Sequence, residues 1–424
     1  MTLISEIVGV SASISDTDLG EKETALGVSE KFTWDQVKAY ALAGLKQTGG
    51  TIIVDDVFGD DGTGIPYSTQ FPFKTGAGAQ SVVTAGDCIL FKPSPNNYSS
   101  ASLGVDGVRY HYEHGANTVT SGNCFNDFGN GSFSVTGFGR FNSNAAAVFF
   151  SSGVGTFFFQ AMYAEGGGAS SRTLWTTGNS ILVAEIETDL VLSGLEQVIR
   201  TNGASGQVFV TCNRMIGAGG LVQCDNGKVI AYAKEFIYNA AGAGYVGVSA
   251  AIGTVELNGK CYFNNAGIYG LPSIYNTGSG TIRINGTVFN TNTDGIATIS
   301  GTTTLEFNDH IYASGKIVNS GGIIKINKGM FGAEADAITH NSGTTVLSGA
   351  FELNGATAIL VAGAGLLIKQ DAVIYIGGAS ESVYSATGAK TITTYPGAVS
   401  NLAPSVDITE DVSSMLISAS VIPY

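Results

Sequence analysis

The chain has 424 residues, 59 of them glycine, with 44% apolar content, 20 basic and 34 acidic side chains. That much aliphatic and aromatic material excludes a disordered chain, and eight prolines without a triplet glycine period exclude collagen. A formal charge of −14 removes the phosphate attraction on which nucleic-acid binders depend, and no stretch approaches the roughly 20 apolar residues of a membrane span.

The opening MTLISEIVGV has no basic residue and carries Glu6 inside its apolar run, so no export signal is expected. Residues 1–64 hold eleven acidic and four basic side chains, half of the net charge. Residues 1–31, without a long apolar pattern, read as an arm that docks on other proteins. A helix is predicted over residues 33–47, within a segment 32–50 that enters the first strand. Thr33 and Gln36 form a capping box, Phe32 and Val37 a hydrophobic staple, and Trp34, Val37, Ala41 and Leu45 share one face. Its predicted role is to cover the open end of a sheet, whose unpaired edge would otherwise recruit other chains.

The strand TIIV and an acidic turn follow. Asp55, Asp56, Asp60 and Asp61 offer the several carboxylate oxygens that calcium favours, although without the ordered spacing of a calcium loop. An ordinary solvated turn is the alternative.

From Gly86 to Gly388, glycines that precede short β-like runs recur at intervals averaging about 23 residues, and Gly280, Gly301, Gly322 and Gly343 are evenly spaced by 21. With Gly50 included, the fourth residue after each glycine is apolar in thirteen of fifteen cases, well above the 44% background. The exceptions, His111 and Lys369, lie in runs whose alternation is shifted by one residue. A repeat of this length with inward aliphatics predicts an all-β parallel β-helix over residues 51–399. Leu257, Ile284, Leu305, Ile326 and Leu347 should stack in one inward column. The third residue after each glycine should face outward, which makes an apolar stripe of Ile89, Phe158, Phe209 and Ile230, with Val183 among them, and such a stripe marks an interface between subunits unless a loop covers it. Later coils place Glu256 and Arg283 at this position, close enough to pair.

In ILVAEIETDLVL, Glu185, Glu187 and Asp189 alternate with Leu182, Ala184, Ile186 and Thr188. On one strand face the carboxyls would stand at distances used by glycosidases; the plainer reading is a solvated outward strand. The histidines His111, His114, His310 and His340 are scattered and accompany no serine-centred motif, so packing is expected of them rather than metal binding. Five cysteines without a CxxC spacing read as buried thiols of a protein made in a reducing compartment. Residues 400–424 leave the coil period and end in the apolar MLISASVIPY, which reads as a cap or trimerisation segment.

The helix ending in Gly-Gly before a strand, the glycine-punctuated coils and segments such as GVRYHYEHGANTVTSGNCF resemble the pectate-lyase-like right-handed β-helix superfamily over residues 33 to 395, and within it bacteriophage tailspike and tail-fibre proteins. The acidic turn of residues 54 to 64 follows the helix here, whereas the family's corresponding turn precedes it. The resemblance implies a right-handed parallel β-helix with an N-terminal capping α-helix. It also implies a homotrimeric virion protein, assembled in the host bacterial cytoplasm, attached to other virion proteins through residues 1–31 and adhering to a host surface polysaccharide. Two alternatives stay open: a tailspike that also cleaves the glycan, and a secreted bacterial polysaccharide lyase or adhesin.

Overall fold

The computed structural model describes residues 49–353 except 100, 103–104, 128–130, 169–170, 240–245, 265–270 and 333–336. Beyond these it describes the strands Lys22–Glu23, Ser29–Glu30, Ile359–Val361, Leu366–Ile368, Val373–Ile376, Ile392–Thr394 and Val399–Asn401. The predicted capping helix, most of the arm 1–31 and nearly all of the segment 400–424 lie outside the described residues. Among those described, the one helix is the short Gly76–Gln80, capped by the Thr75 hydroxyl, which accepts from the Gly78 amide at 3.0 Å.

The chain divides into two compact units, Met1–Val191 with Thr201–Cys212, and Leu192–Arg200 with Asn213–Tyr424. Both are parallel β-solenoids, as the glycine period predicts. In the first unit, one sheet stacks Thr51–Val54, Cys88–Phe91, Arg109–Tyr112, Phe133–Gly137, Thr156–Ala161 and Ile181–Ile186. A second stacks Asn117–Thr120, Arg140–Ser143 and Tyr163–Gly166, and a third Phe125–Asp127, Phe149–Ser151 and Leu174–Thr176. From Arg109 onward each coil visits all three sheets, and parallel pairing to neighbouring coils satisfies its backbone.

The second unit repeats this plan. Its first sheet carries Thr254–Phe263, Thr281–Ile284 and Thr304–Phe307, and its second carries Val288–Asn290, Ile311–Ala313, Gly329–Gly332 and Ala350–Leu353. Long strands turn the corner between sheets: Ile317–Ile326 pairs first with Ala297–Ile299 and then with Thr304–Phe307.

Alternation along each strand decides what lies inside. In the second unit one inward column is Leu257, Ile284, Phe307, Ile326 and Leu347, all fully buried. Leu305 stands one inward position away, with Ile282 and Ile324 as its neighbours, so four of the five expected residues share a column and the fifth is displaced. The cause is a turn two residues longer. Gly280 is followed at once by the paired Thr281, but Thr302 and Thr303 intervene between Gly301 and its partner Thr304. Gly301 takes φ +69°, which a side chain would resist. The buried Thr303 hydroxyl accepts from Asn276 Nδ2 at 2.8 Å and donates to the Gly278 carbonyl at 3.0 Å. A shift of two preserves the side-chain face, so Leu305 remains inside.

A shift of one does not. The slips expected at His111 and Lys369 are matched by the register, which puts Tyr110 and Leu366 on inward columns. The same slip affects the Gly86 coil. Ile89 pairs with Ile52 and Tyr110 and is fully buried on the inward column, not on the outward stripe.

At the start of the first solenoid, the buried Asp87 gathers four donors: the Gly50 amide at 2.8 Å, the Tyr67 hydroxyl at 3.0 Å, and the Thr84 amide and hydroxyl, both at 2.8 Å. Burial alone would raise this carboxyl's pKa, but the four donors outweigh it and hold the group below its ordinary range.

Candidate functional site

In the second unit's second sheet four successive coils each turn one aromatic residue away from the core, the first of them near the end of Thr254–Phe263, which runs on from the first sheet into the second. The four residues are Tyr262, Phe289, Tyr312 and Phe331, brought into line by pairings of Tyr262 with Phe289, Phe289 with Tyr312, and Tyr312 with Phe331. Ring centroids are 5.0, 5.4 and 5.1 Å apart with planes within 10°, 11° and 12° of parallel. Faces in contact lie about 3.5–4 Å apart, so at this centroid spacing the rings overlap like shingles. Tyr312 is 42% exposed, and Tyr262, Phe289 and Phe331 are half-buried.

Polar groups accompany the ladder. At the corner leading into these strands, Asn327 Nδ2 donates to Asn308 Oδ1 at 2.6 Å, Asn308 to Asn285 at 2.7 Å, and Asn285 to Asn258 at 2.9 Å. Asp309 Oδ1 meets His310 Nδ1 at 3.0 Å while Asp309 Oδ2 accepts from the Thr287 hydroxyl at 2.8 Å. The imidazole lies 6.0 Å from the Phe331 ring and 6.4 Å from that of Tyr312. On the first sheet, Glu306 is shared by Arg283 at 3.1 Å and Lys325 at 2.6 Å. Arg283 therefore reaches Glu306 and not the expected Glu256, whose carboxylate accepts from Asn285 at 2.9 Å.

Sequence reasoning missed the ladder because it stopped four residues after each glycine. Tyr262, Phe289 and Phe331 are each nine residues beyond Gly253, Gly280 and Gly322, and Tyr312 is eleven beyond Gly301, the difference being the longer turn.

The residues singled out from sequence fare differently. Glu185, Glu187 and Asp189 are not on one strand face. The strand ends at Ile186, the chain turns through Glu187 and Thr188, and Asp189 opens the next strand. The amides of Glu187 and Thr188 are held by the carbonyls of Ala161 and Met162, each at 3.0 Å, which fixes that corner. Glu185 accepts from Gln160 Nε2 at 3.1 Å. On the second sheet of the same unit, Glu165 accepts from the Tyr163 hydroxyl at 2.8 Å and from Asn142 at 3.1 Å. Burial, the bond to Glu165 and the charges of Glu165 and Asp189 push the Tyr163 pKa upward.

The carboxylates of the acidic turn all accept hydrogen bonds from within the chain. Asp55 Oδ1 accepts from the Val57 and Phe58 amides, Asp60 from Gly62, and Asp56 from Asn96. Asp61 takes the Lys74 and Thr75 amides and the Thr75 hydroxyl. These bonds point the four carboxylates at different partners, and no group of three or more metal-ligating side chains forms among the described residues. His111 bonds the Thr136 hydroxyl and the buried His340 that of Thr345, both at 2.9 Å. All five cysteines are buried.

The outward stripe also differs from expectation. Phe158 pairs with Ser134 and Val183, and Val183 with Phe209, so these do share one column of the first unit. They are nevertheless buried within the single chain, as is Ile230 in the second unit. None of them offers an open surface to another subunit.

Among the described residues no helix is long and apolar enough to cross a membrane. No known protein family, curated protein or solved structure matches the chain.

Proposed function

We propose that this chain is a fibre or spike protein of a bacteriophage virion, which adheres to a host surface polysaccharide along the aromatic ladder. The observation that carries the adhesive reading is the run Tyr262, Phe289, Tyr312 and Phe331, with one ring per coil beside a row of side-chain amides. An extended glycan presents apolar C–H faces and hydroxyls in alternation, and a row of partly exposed rings beside amides complements both. In this reading the solenoid is right-handed, residues 1–31 attach to other virion proteins, and residues 400–424 help close a homotrimer. Three parallel ladders would turn weak individual contacts into avidity.

The test has two arms. An antibody to this chain should label virions in electron micrographs; label on the host envelope alone would end the phage assignment. Purified protein should bind host cells, and Phe289→Ala with Tyr312→Ala should remove that binding while leaving the β-sheet circular dichroism unchanged. Binding that survives the double change would show the ladder is not the contact surface.

A second reading, glycan cleavage, is favoured by Glu165 and Asp189, two carboxylates on paired strands whose charges both act on Tyr163, since glycosidases work with a pair of carboxyl groups. Release of reducing ends from host glycan, abolished by Glu165→Gln, would support it. Its absence would leave adhesion alone.

A further inference from the structure

We infer that the polysaccharide lies along the solenoid axis with one sugar per coil, and that it is an extended β-linked chain with its hydroxyls at its edges; this rests on the adhesive reading above. The row of rings sets the direction. Tyr262, Phe289, Tyr312 and Phe331 stand on successive coils, so the row follows the axis in steps of 5.0, 5.4 and 5.1 Å. Stacked strands repeat every ~4.8 Å, close to the length of one pyranose residue in an extended chain. A glycan laid along the axis therefore meets every ring in turn, whereas one laid across the coils meets a single ring.

Polar groups border the row on both sides. Thr287 and His310 come two residues before Phe289 and Tyr312, and Asn264, Thr291 and Ser314 come two residues after Tyr262, Phe289 and Tyr312. The amides of Asn264, Thr291 and Ser314 donate to the carbonyls of Tyr238, Phe263 and Asn290, which keeps these three in line from coil to coil. Residues two apart along a strand share its face, so the strip is apolar along its middle and polar along both edges. A β-linked pyranose chain with equatorial hydroxyls has the same cross-section, with C–H groups above and below and hydroxyls at either edge. An α-linked chain that coils does not hold that shape over four sugars. The order Tyr, Phe, Tyr, Phe adds a second match: a phenol hydroxyl recurs on every second coil, and a β-linked ribbon that turns over at each sugar repeats its face at every second one. Charge does not make the choice. Lys260 and Lys328 are balanced by Asp309 and by Glu352, which pairs with Phe331 and ends the apolar row.

Cello-oligosaccharides and chito-oligosaccharides of two to six sugars supply the extended β-linked form, and malto-oligosaccharides of the same lengths supply the α-linked one. In titration calorimetry the intact protein should bind at least one β-linked series, with affinity rising roughly threefold or more per sugar up to four and levelling off beyond. The malto series should bind roughly tenfold more weakly at four sugars. Phe331→Ala removes the last ring and should move the levelling point from four sugars to three, as should Tyr262→Ala at the other end, with β-sheet circular dichroism unchanged in both.

Affinity that stops growing at two sugars, a malto series bound as well as the β-linked ones, no binding of either β-linked series, or a levelling point that stays at four in both end variants overturns the inference. Host-cell binding separates this failure from that of the adhesive reading. If cells are bound through Phe289 and Tyr312 but the levelling point does not follow the number of rings, adhesion stands and the alignment of one sugar per coil falls.

Discussion

The two units wind the same kind of coil but use their largest aromatic clusters differently. In the first unit the rings fill the interior: Phe91 stacks on Tyr112 at 4.2 Å, and Tyr112 meets Phe141 edge-on at 4.8 Å. Phe125 packs on Phe141 at 5.0 Å, and Phe133 on Phe157 at 4.6 Å. In the second unit the interior columns are mainly aliphatic, and the rings of Tyr262, Phe289, Tyr312 and Phe331 face out. What separates the two arrangements is the parity of a position along a strand. An interior ring contributes burial and edge-to-face packing to folding, whereas an exterior ring keeps much of its surface in water and leaves it available to a ligand.

The largest effect should come from changing parity itself. Deleting Thr302 alone shortens the Gly301 turn by one residue and drives Leu305 and Phe307 outward while Thr304 and Glu306 turn in. Deleting Thr302 and Thr303 together restores the length used at Gly280, at the cost of the Thr303 hydrogen bonds. The single deletion should therefore be the more damaging, with loss of the cooperative unfolding transition of the second unit, and the double deletion should retain that transition at lower denaturant. Chemical denaturation followed by circular dichroism orders the two; a single deletion as stable as the double one would refute the parity argument.

Next in size is the interior ring. Phe141 is fully buried among Tyr112, Phe125 and Phe159, so Phe141→Ala should destabilise the first unit by about 3–5 kcal/mol, from lost transfer energy and the cavity left behind. A loss below about 1 kcal/mol would mean that the interior aromatics are not close-packed.

That parity governs both regions explains how much was legible in the sequence. The solenoid was visible because glycine turns and alternating aliphatics report the same period, and an error of two residues, as at Leu305, leaves the inward assignment intact. Ile89 was misplaced because an error of one reverses it, and nothing local to CILF announces the slip. Glu187 was read as part of a strand because alternation continues unbroken through the corner, where the chain changes sheet without a glycine or proline to mark it. The ladder was hidden by distance. Nine residues beyond the nearest glycine, after a turn whose length varies by two, its rings look like isolated aromatics until pairing brings them together.

A smaller effect concerns acid. Burial would raise the Glu306 pKa, but Lys325 and Arg283 more than offset it and hold the carboxyl below its ordinary value. The donors around Asp87 do the same in the first unit. A depressed folded-state pKa stabilises above the unfolded value and loses that contribution as pH falls through the folded one. Stability should thus be flat near neutrality and decline below about pH 4.5, where unfolded carboxylates begin to protonate. Glu306→Gln should make the second unit's decline shallower and leave the first unit's unchanged, as followed by urea melts across acidic pH.

The smallest expected change in stability is at the exterior rings, and there it sharpens the comparison most. Phe289 stacks on both Tyr262 and Tyr312 but is only half-buried, so Phe289→Ala removes two offset stacks and part of a hydrophobic surface. That should cost about 1–2 kcal/mol, less than half the effect of Phe141→Ala despite the same chemical change. Glycan binding should follow the reverse order, with Phe289→Ala losing most of it and Phe141→Ala, at temperatures where it stays folded, losing little. If the two substitutions lower stability equally and neither alters binding, then the ladder is merely another packed column, and the outward placement of its four rings carries no functional meaning.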